Sequence, residues 1–277
     1  MNAEICEWGR HRVMRLIPDD LNTSLKVFKE QKADGISLSS RDGCSSETFD
    51  ILSQFVGLKI LLVRGLSNIR MDVLRSLPEL EEISTDAAVR GLDLALLPGL
   101  RRLTGDWNEK FILNSKTSNI TSLRISKFKS TSGNLIDFPF FPKLLELELV
   151  QSSIDSLKGI SKFSDLERME VHYMPKLESL GELRLPKLRV FIASMCKKIS
   201  DHEQLGACES LEEIKLHDCG KINSLSFLSK NKKLKSFRFM RTDVSDGELS
   251  ILLRLDDVYF TEKKHFSHKT SDMRQST

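Results

Sequence analysis

The stretch 144–165, LLELELVQSSIDSLKGISKFSD, decides the fold. Its apolar residues follow one spacing: an L-x-x-L-x-L opening, a polar gap, and then an apolar run. The positions that share this spacing are Leu144, Leu147, Leu149, Ile154, Leu157, Ile160 and Phe163, and Leu166 begins it again. The alternation at Leu147 and Leu149 predicts a short strand with one buried face. The apolar run after it predicts a turn or short helix that packs on that strand.

The same opening recurs along most of the chain at a nearly constant step of 20 to 24 residues. Its first residues are Leu58, Leu80, Leu100, Ile120, Leu144, Leu166, Leu188, Leu211, Leu234 and Leu255. A steady period of this length indicates stacked units, because one unit alone cannot bury its apolar face. The longest step follows Ile120 and contains Gly133, Pro139 and Pro142, which predict an irregular segment there.

The opening, followed by a small polar residue such as Ser152, is the signature of leucine-rich repeats. The repeats over 144–260 resemble the short, roughly 22-residue repeats of internalin-type bacterial proteins and of the related phosphatase-regulator type. This resemblance implies the α/β class: a single curved leucine-rich-repeat solenoid, with parallel strands on the concave face and 3₁₀ or short helical turns on the convex face. It covers about 33–261 and concerns fold rather than function.

Three regions are expected along the chain. They are an N-terminal helical cap over 1–32, about 11 repeats over 33–261, and a polar C-terminal tail over 262–277. Leu21, Leu25 and Phe28, spaced four and three residues apart, predict a short amphipathic helix near 20–31. Such a cap covers the apolar end that a first repeat leaves open. The tail has no apolar pattern, so we expect it to fray.

Composition argues against several function classes. A net charge of +3 is too small to indicate a nucleic acid or an anionic membrane as partner. Glu4, Glu7 and Arg10 stand where a signal peptide needs an apolar run, and no stretch of about 18 apolar residues is present. The 5 cysteines are an odd number without a CxxC pair, which indicates reduced thiols. We therefore expect a cytoplasmic, monomeric protein.

Neither a catalytic site, a cofactor site nor a metal site is predicted. His172 and His217 occupy one column of the expected sheet, but Ser194 lies on the strand between them. Two strand spacings are about 10 Å, too far for both imidazoles to bind one zinc ion. Cys196 and Cys219 fall where Ser152 and other small polar residues stand in neighbouring repeats. They predict an inward polar ladder that satisfies backbone groups, rather than a redox pair or metal ligands.

The x positions of each opening point away from the core and carry acidic and basic residues in nearly equal number. This balance opposes a nucleic-acid groove, which needs a basic stripe. Tyr173, Tyr259 and Trp107 map to this face, where interfaces favour such anchors. The apolar residues Ile60, Leu62, Val150, Val190, Ile192 and Met195 join them. A central patch of glutamates beside arginines fits either cross-strand pairing or a partner with a basic protrusion.

We therefore expect a non-enzymatic protein-binding module that uses its concave face. The candidate partner-binding residues are Trp107, Arg124, Glu148, Glu170, His172, Tyr173, Ile192, Met195, Lys215, His217, Arg238 and Tyr259. A specific hypothesis is a cytoplasmic inhibitor or immunity protein that neutralises a toxin. The alternative is a secreted bacterial effector or regulatory subunit that targets a host or cellular protein. An enzyme within the irregular 104–143 segment is a third, more distant hypothesis.

Overall fold

A computed structural model describes residues 4–66, 71–86, 92–107 and 112–273. The ends of the predicted cap and tail, residues 1–3 and 274–277, lie outside this set. The chain forms two compact units, one of Met1–Ile125 with Phe141–Lys143 and one of Ser126–Phe140 with Leu144–Thr277. None of the helices among the described residues has the length and apolarity that crossing a bilayer requires.

The first unit combines a hairpin, two helices and parallel strands. Its strands are β1 (Ile5–Trp8), β2 (His11–Arg15), β3 (Gly35–Ser39), β4 (Ile60–Arg64), β5 (Glu82–Thr85), β6 (Leu92–Asp93), β7 (Arg102–Asp106), β8 (Ile112–Leu113) and β9 (Ser122–Ser126). Its helices are α1 (Leu21–Glu30) and α2 (Met71–Leu74), with 3₁₀ turns at Pro18–Asp20, Ser40–Asp42, Ser46–Gln54, Leu94–Leu96 and Ser115–Thr117. Strands β2, β3, β4, β5 and β7 pair in parallel in that order.

The N-terminal cap is more than the helix that the sequence predicts. Helix α1 lies in the expected place, and the Asp20 side chain accepts a hydrogen bond from the Thr23 N–H at 3.1 Å, which caps its first turn. In front of it, β1 and β2 form an antiparallel hairpin around Gly9, whose φ is 59°. The sequence prediction missed this hairpin because its two strands have only four and five residues and lack a regular alternation.

The second unit contains the regular repeats. Its strands are β10 (Glu146–Val150), β11 (Arg168–His172), β12 (Val190–Ser194), β13 (Glu213–His217), β14 (Lys221–Ile222), β15 (Ser236–Met240), β16 (Asp243–Val244) and β17 (Asp257–Phe260). The 3₁₀ turns are Ile160–Lys162, His202–Ala207, Ser226–Lys230, Ser250–Arg254 and Thr270–Asp272. Strands β10, β11, β12, β13, β15 and β17 pair in parallel in that order. Parallel strands with a 3₁₀ turn in four of their five connections confirm the predicted fold class.

One inward-facing row shows how the repeats stack. Its members are register partners on the six neighbouring strands, Leu147, Met169, Phe191, Ile214, Phe237 and Val258, and all are at most 3% exposed. Full burial of such a side chain stabilises the fold by about 1.5–3 kcal/mol. That burial exists only when neighbouring repeats are present. The predicted leucine positions therefore superpose from one repeat to the next.

The first residue after the strand has the same backbone conformation in successive repeats. Six residues there have a φ of 51–60°: Lys127, Gln151, Tyr173, Met195, Asp218 and Arg241. The N–H of Tyr173 donates to the Ser194 carbonyl at 2.8 Å, and the N–H of Met195 donates to the His217 carbonyl at 2.8 Å. These bonds continue the sheet ladder by one residue and hold a backbone conformation that non-glycine residues rarely adopt.

In four of these six turns, the next residue belongs to the predicted polar ladder. Ser152, Cys196, Cys219 and Thr242 are at most 1% exposed. The Ser152 hydroxyl accepts the Phe128 N–H at 3.2 Å, and the Thr242 hydroxyl accepts the Cys219 N–H at 3.1 Å. The Cys196 thiol lies 3.4 Å from the Ser194 carbonyl. Both cysteines carry free thiols, so the prediction of a ladder that satisfies backbone groups is confirmed.

The irregular segment before β10 is confirmed. Residues 127–145 form neither a helix nor a strand. The Lys162 ammonium donates to the carbonyls of Leu135 at 2.7 Å, Ile136 at 3.1 Å and Phe138 at 2.6 Å. The ring of Phe138 packs edge-on against Phe163, with centroids 6.2 Å apart. One cation therefore satisfies three backbone acceptors that lie outside any ladder.

The expectation of a frayed tail is wrong for its described part. Phe266 packs edge-on against Phe239 and Phe260, with centroids 6.0 and 5.8 Å apart. The Ser267 hydroxyl accepts the Leu249 N–H at 2.9 Å, and Met273 is 5% exposed. The rings lie beside the last strand, so the tail covers an apolar end that would otherwise face water.

Candidate functional site

The open face of the second unit is the side of its six paired parallel strands that lies opposite the core. Each five-residue strand places its first, third and fifth side chains there, because successive side chains alternate between the two faces. The parallel register then aligns the third residues into one straight row. This middle row consists of Glu148, Glu170, Ile192, Lys215, Arg238 and Tyr259. Six of the predicted partner-binding residues therefore lie side by side.

Four other predicted residues flank the middle row. The third row, at the strand ends, contains Val150, His172, Ser194, His217 and Met240, and so includes both predicted histidines. Tyr173 and Met195 follow their strands directly, in the turn whose residues have positive φ. The first row contains Glu146, Arg168, Val190, Glu213, Ser236 and Asp257. The open face thus has three rows of strand residues and a border of turn residues.

Two predicted residues belong to the first unit, and their surroundings differ. Arg124 is exposed on β9, but Trp107 is half-buried rather than exposed. Two apolar residues expected on an exposed face are also buried, since Ile60 is 1% and Leu62 7% exposed. They form a small apolar cluster with Val13 of the hairpin. The prediction that Ile60 and Leu62 are exposed is therefore wrong, because it took no account of the hairpin strand.

Ion pairs within the open face neutralise most of its charge. Arg168 Nε lies 2.6 Å from Glu170 Oε1 on the same strand, and Lys215 pairs with Glu213 in the same way. Arg238 reaches Asp257 on the neighbouring strand with two bonds, of 2.7 and 2.8 Å. Of the two explanations that the sequence left open, internal pairing accounts for these contacts. The pairs run along strands as well as across them.

These contacts set the protonation of two carboxylates. A hydrogen bond with His172 lowers the pKa of Glu170 to about 2, and Arg168 adds to this effect while partial burial opposes it. The guanidinium of Arg238 lowers the pKa of Asp257, again against partial burial. Both groups are therefore ionised near neutral pH. The open face carries fixed, paired charges rather than a field of one sign.

Large side chains remain exposed beside these pairs. Tyr173 is 55% exposed, Tyr259 49% and Met240 41%. Met240 is not among the candidate residues predicted from the sequence. Met240 is the fifth residue of β15, and the fifth residues of β11 and β13 are the predicted His172 and His217. Counting along the repeat would therefore have identified it. The side chains of Tyr173, Tyr259 and Met240 give the open face its large exposed apolar surface.

The sequence alone also missed one cluster. His172 does not approach His217, but its Nε2 lies 2.9 Å from Glu170 Oε2 and 3.6 Å from Glu148 Oε1. All three residues are predicted partner-binding residues, yet their mutual contact was not expected. The parallel register of β10 and β11, which makes Glu148 and Glu170 direct neighbours, is what brings them together.

Comparison with known proteins finds similarity among solved structures. No protein-family model matches the chain, and no curated protein matches it in sequence. The internalin InlF of Listeria monocytogenes is 16% identical, with a TM-score of 0.48 over 81% of this chain and 75% of that one. Internalin C2 of the same organism is 19% identical, with a TM-score of 0.46 over 68% and 81%. The functional domain of its InlJ, described as including a cysteine ladder, is 16% identical, with a TM-score of 0.37 over 76% and 55%.

These matches are of the class that the repeats resemble. Their identities and TM-scores are low, so they do not bear on function. The architecture follows instead from the register of the strands and the repeated turn within this structure. On that evidence the chain has a leucine-rich-repeat fold.

Proposed function

We propose that the open face of the second unit binds another protein and that the chain acts without catalysis of its own. The observation that carries this proposal is the exposure of Tyr173, Met240 and Tyr259 on a face whose charges are already paired. Tyrosine and methionine supply large contact areas at interfaces. An isolated exposed side chain needs no explanation, but three on one ordered sheet face favour a binding role.

The spacing of these residues suits an interface of ordinary size. Strands β11 and β17 are four strand spacings apart, so Tyr173 and Tyr259 are separated by about 19 Å in the direction across the strands. A typical partner covers about 800 Å² on each side, which is wide enough to contact both tyrosines at once. Ile192, Lys215 and Arg238 fill the middle row between them. Regular backbone hydrogen bonds hold these positions, which lowers the entropy cost of binding.

The test is capture of a partner from the native lysate, followed by binding measurements with the purified pair. The combined variant Tyr173→Ala, Met240→Ala and Tyr259→Ala should lose capture while its melting temperature stays near that of the wild type. Ile136 and Leu253 are matched controls, since they are 55% and 39% exposed in the same unit but lie off the open face. The proposal is wrong if the triple variant binds the partner as tightly as the control Ile136→Ala, Leu253→Ala.

The finer part of the proposal is that binding inhibits the partner, as an inhibitor or immunity protein would. Its test is the partner's own activity, measured with and without the chain. A partner that keeps full activity when saturated would favour the alternative of an effector or a regulatory subunit. The 5 free thiols support a reducing, cytoplasmic location for this role. Fractionation of the native cells, with detection of the chain in each fraction, tests the location.

A further inference from the structure

Three potential metal ligands converge on one side of the open face. Glu148 of β10 and Glu170 of β11 are register partners, and His172 lies two residues beyond Glu170, so its side chain leaves the same face. One donor atom from each of the three residues lies within 4.8 Å of the other two. The nearest contacts are 2.9 Å, from His172 Nε2 to Glu170 Oε2, and 3.6 Å, from His172 Nε2 to Glu148 Oε1.

These distances fit a single small cation. Nitrogen and carboxylate ligands lie about 2.1 Å from zinc, which places two ligands of a tetrahedral ion about 3.4 Å apart. The observed 2.9 and 3.6 Å bracket that value. Small side-chain rotations therefore suffice to seat an ion between the three groups. A ligand set of two carboxylates and one imidazole suits zinc and similar divalent transition metals, and the two carboxylates balance the charge of the ion.

The surroundings hold the ligands in place. The side chains of Glu148, Glu170 and His172 are only 22%, 20% and 19% exposed, so the site is partly screened from water. Arg168 binds the other oxygen of Glu170, with Nε 2.6 Å from Oε1. This contact orients the carboxylate and leaves Oε2 facing His172. Residues that orient a ligand in this way are a regular part of metal sites.

We propose that Glu148, Glu170 and His172 form a binding site for a divalent transition-metal ion of the zinc type. Three protein ligands leave the fourth position of a tetrahedral ion for water. The expectation of no metal site weighed the two histidines and the cysteines as ligands, and did not consider His172 together with glutamates. The proposed site does not depend on whether the open face binds a protein.

A competing arrangement uses the same three residues. In it, His172 Nε2 keeps its hydrogen bond with Glu170 Oε2 at 2.9 Å beside the Glu148 carboxylate, and no ion is needed. The two arrangements differ in one measurable respect: the first takes up zinc and the second does not. His217 provides a matched control, because it holds the same position on β13 that His172 holds on β11, while Lys215 stands there in place of Glu170.

The test is a titration of the full chain, freed of metal with EDTA, with zinc chloride in an isothermal calorimeter. The wild type and His217→Ala should each bind one equivalent with the same affinity. His172→Ala and Glu148→Gln should weaken that binding by at least about 100-fold, since loss of even an outer-shell partner costs 10–100-fold. Nitrogen-15 NMR of histidine-labelled wild type should show the zinc-induced shift at His172.

Two outcomes would overturn the proposal. One is the absence of zinc binding by the wild type at millimolar metal, which would leave the hydrogen-bonded arrangement. The other is a zinc affinity in His172→Ala equal to that of the wild type, which would place the ion elsewhere. The NMR experiment decides the question even if a variant fails to fold, because it uses the wild type: a shift at His217 or in the tail, without one at His172, contradicts the proposal.

Discussion

Strands β4 and β12 differ in what covers the face of the sheet opposite the core. In the first unit, Leu62 at the centre of β4 is 7% exposed and packs with Val13 and Ile60. In the second unit, Ile192 holds the same central position on β12 but is only half-buried. The repeat pattern assigns both side chains to the same face. What differs is a neighbouring hairpin strand in the first unit, so the same pattern produces a second small core there and an open surface in the other unit.

Gly35 explains how the apolar cluster of the first unit closes. It lies between Val13 and Ile60 in the register of β2, β3 and β4. A Cβ built on Gly35 would lie 2.7 Å from Val13 Cγ2 and 3.0 Å from Ile60 Cβ. The missing side chain therefore lets two apolar residues from non-adjacent strands approach each other. The structure describes every residue of the paired strands of the second unit, and none of those residues is a glycine.

The hairpin also makes a polar contact on the face of the sheet that it covers in the first unit. Trp8 Nε1 donates a hydrogen bond to Glu82 Oε1 at 2.8 Å, although β2, β3 and β4 lie between β1 and β5 in the sheet order. Four strand spacings are about 19 Å, more than the two side chains can bridge on a flat sheet. The end of the hairpin must therefore bend towards β5 across the face.

Alanine substitutions at the two equivalent central positions, Leu62 and Ile192, should show the largest difference in stability between the two units. Leu62→Ala should lower the free energy of unfolding by about 2–5 kcal/mol, because it leaves a cavity in a closed cluster. Ile192→Ala should cost less than about 2 kcal/mol, since solvent already reaches that side chain. Urea denaturation of both variants measures the difference. Equal losses would contradict the distinction between a covered and an open face.

A methyl group at Gly35 should disturb only the covered face. Gly35→Ala should destabilise the protein by about 1–3 kcal/mol, because the new Cβ overpacks the contact between Val13 and Ile60. Ser37→Ala is the control, since Ser37 lies on the same strand and face but is half-buried. The denaturation midpoints of the two variants measure the difference. If Gly35→Ala has the stability of the wild type, Val13 and Ile60 can move apart without loss of stability, and the expectation of overpacking is wrong.

The polar contact of the hairpin should have a smaller effect. Trp8→Phe keeps a ring but removes the donor to Glu82, which should cost about 0.5–1.5 kcal/mol as for a typical hydrogen bond. Hydrogen exchange of the amides in β1 and β2 should increase, since opening of the hairpin becomes easier. Glu82→Gln keeps an acceptor and should preserve most of the protection. Unchanged exchange in Trp8→Phe would show that the bond does not hold the hairpin.

The smallest expected effect concerns an ion pair of the open face. Arg238 lowers the pKa of Asp257 in the folded chain, so the pair stabilises the fold above the unfolded pKa of about 3.9. This contribution disappears as the pH falls through the lower, folded pKa. Asp257→Asn should therefore melt below the wild type at neutral pH, and the difference should shrink as the pH falls below the unfolded pKa of about 3.9. Asp256→Asn, which makes the same charge change one residue earlier, is the matched control.

The regular repeats were predictable because each depends on local spacing. Leu144, Leu147 and Leu149 predict β10 without reference to any distant residue, and the ladder position of Cys196 follows from counting within its repeat. The hairpin at Gly9 and the packed tail were not predictable in this way. Both rest on contacts between segments far apart in the sequence, such as Phe266 with Phe239.

The candidate site was predictable in part. The choice of strand face placed six residues correctly in the middle row, since alternation along a strand is set by backbone geometry. Exposure was less predictable, as Trp107 and Leu62 show, because it depends on what else packs against the position. The contact of His172 with Glu148 required both the register of β10 against β11 and the rotamers of three side chains.

The sequence by itself determined the repeat: where strands begin, which side chains enter the core, and which polar residues line the turns. These features follow from a period of 20 to 24 residues and from the need of each unit to bury its leucines against a neighbour. Only the tertiary structure decided which part of the outward face stays open and which donor atoms meet on it. Those outcomes depend on distances of a few ångströms between separate strands, which no spacing along the chain specifies.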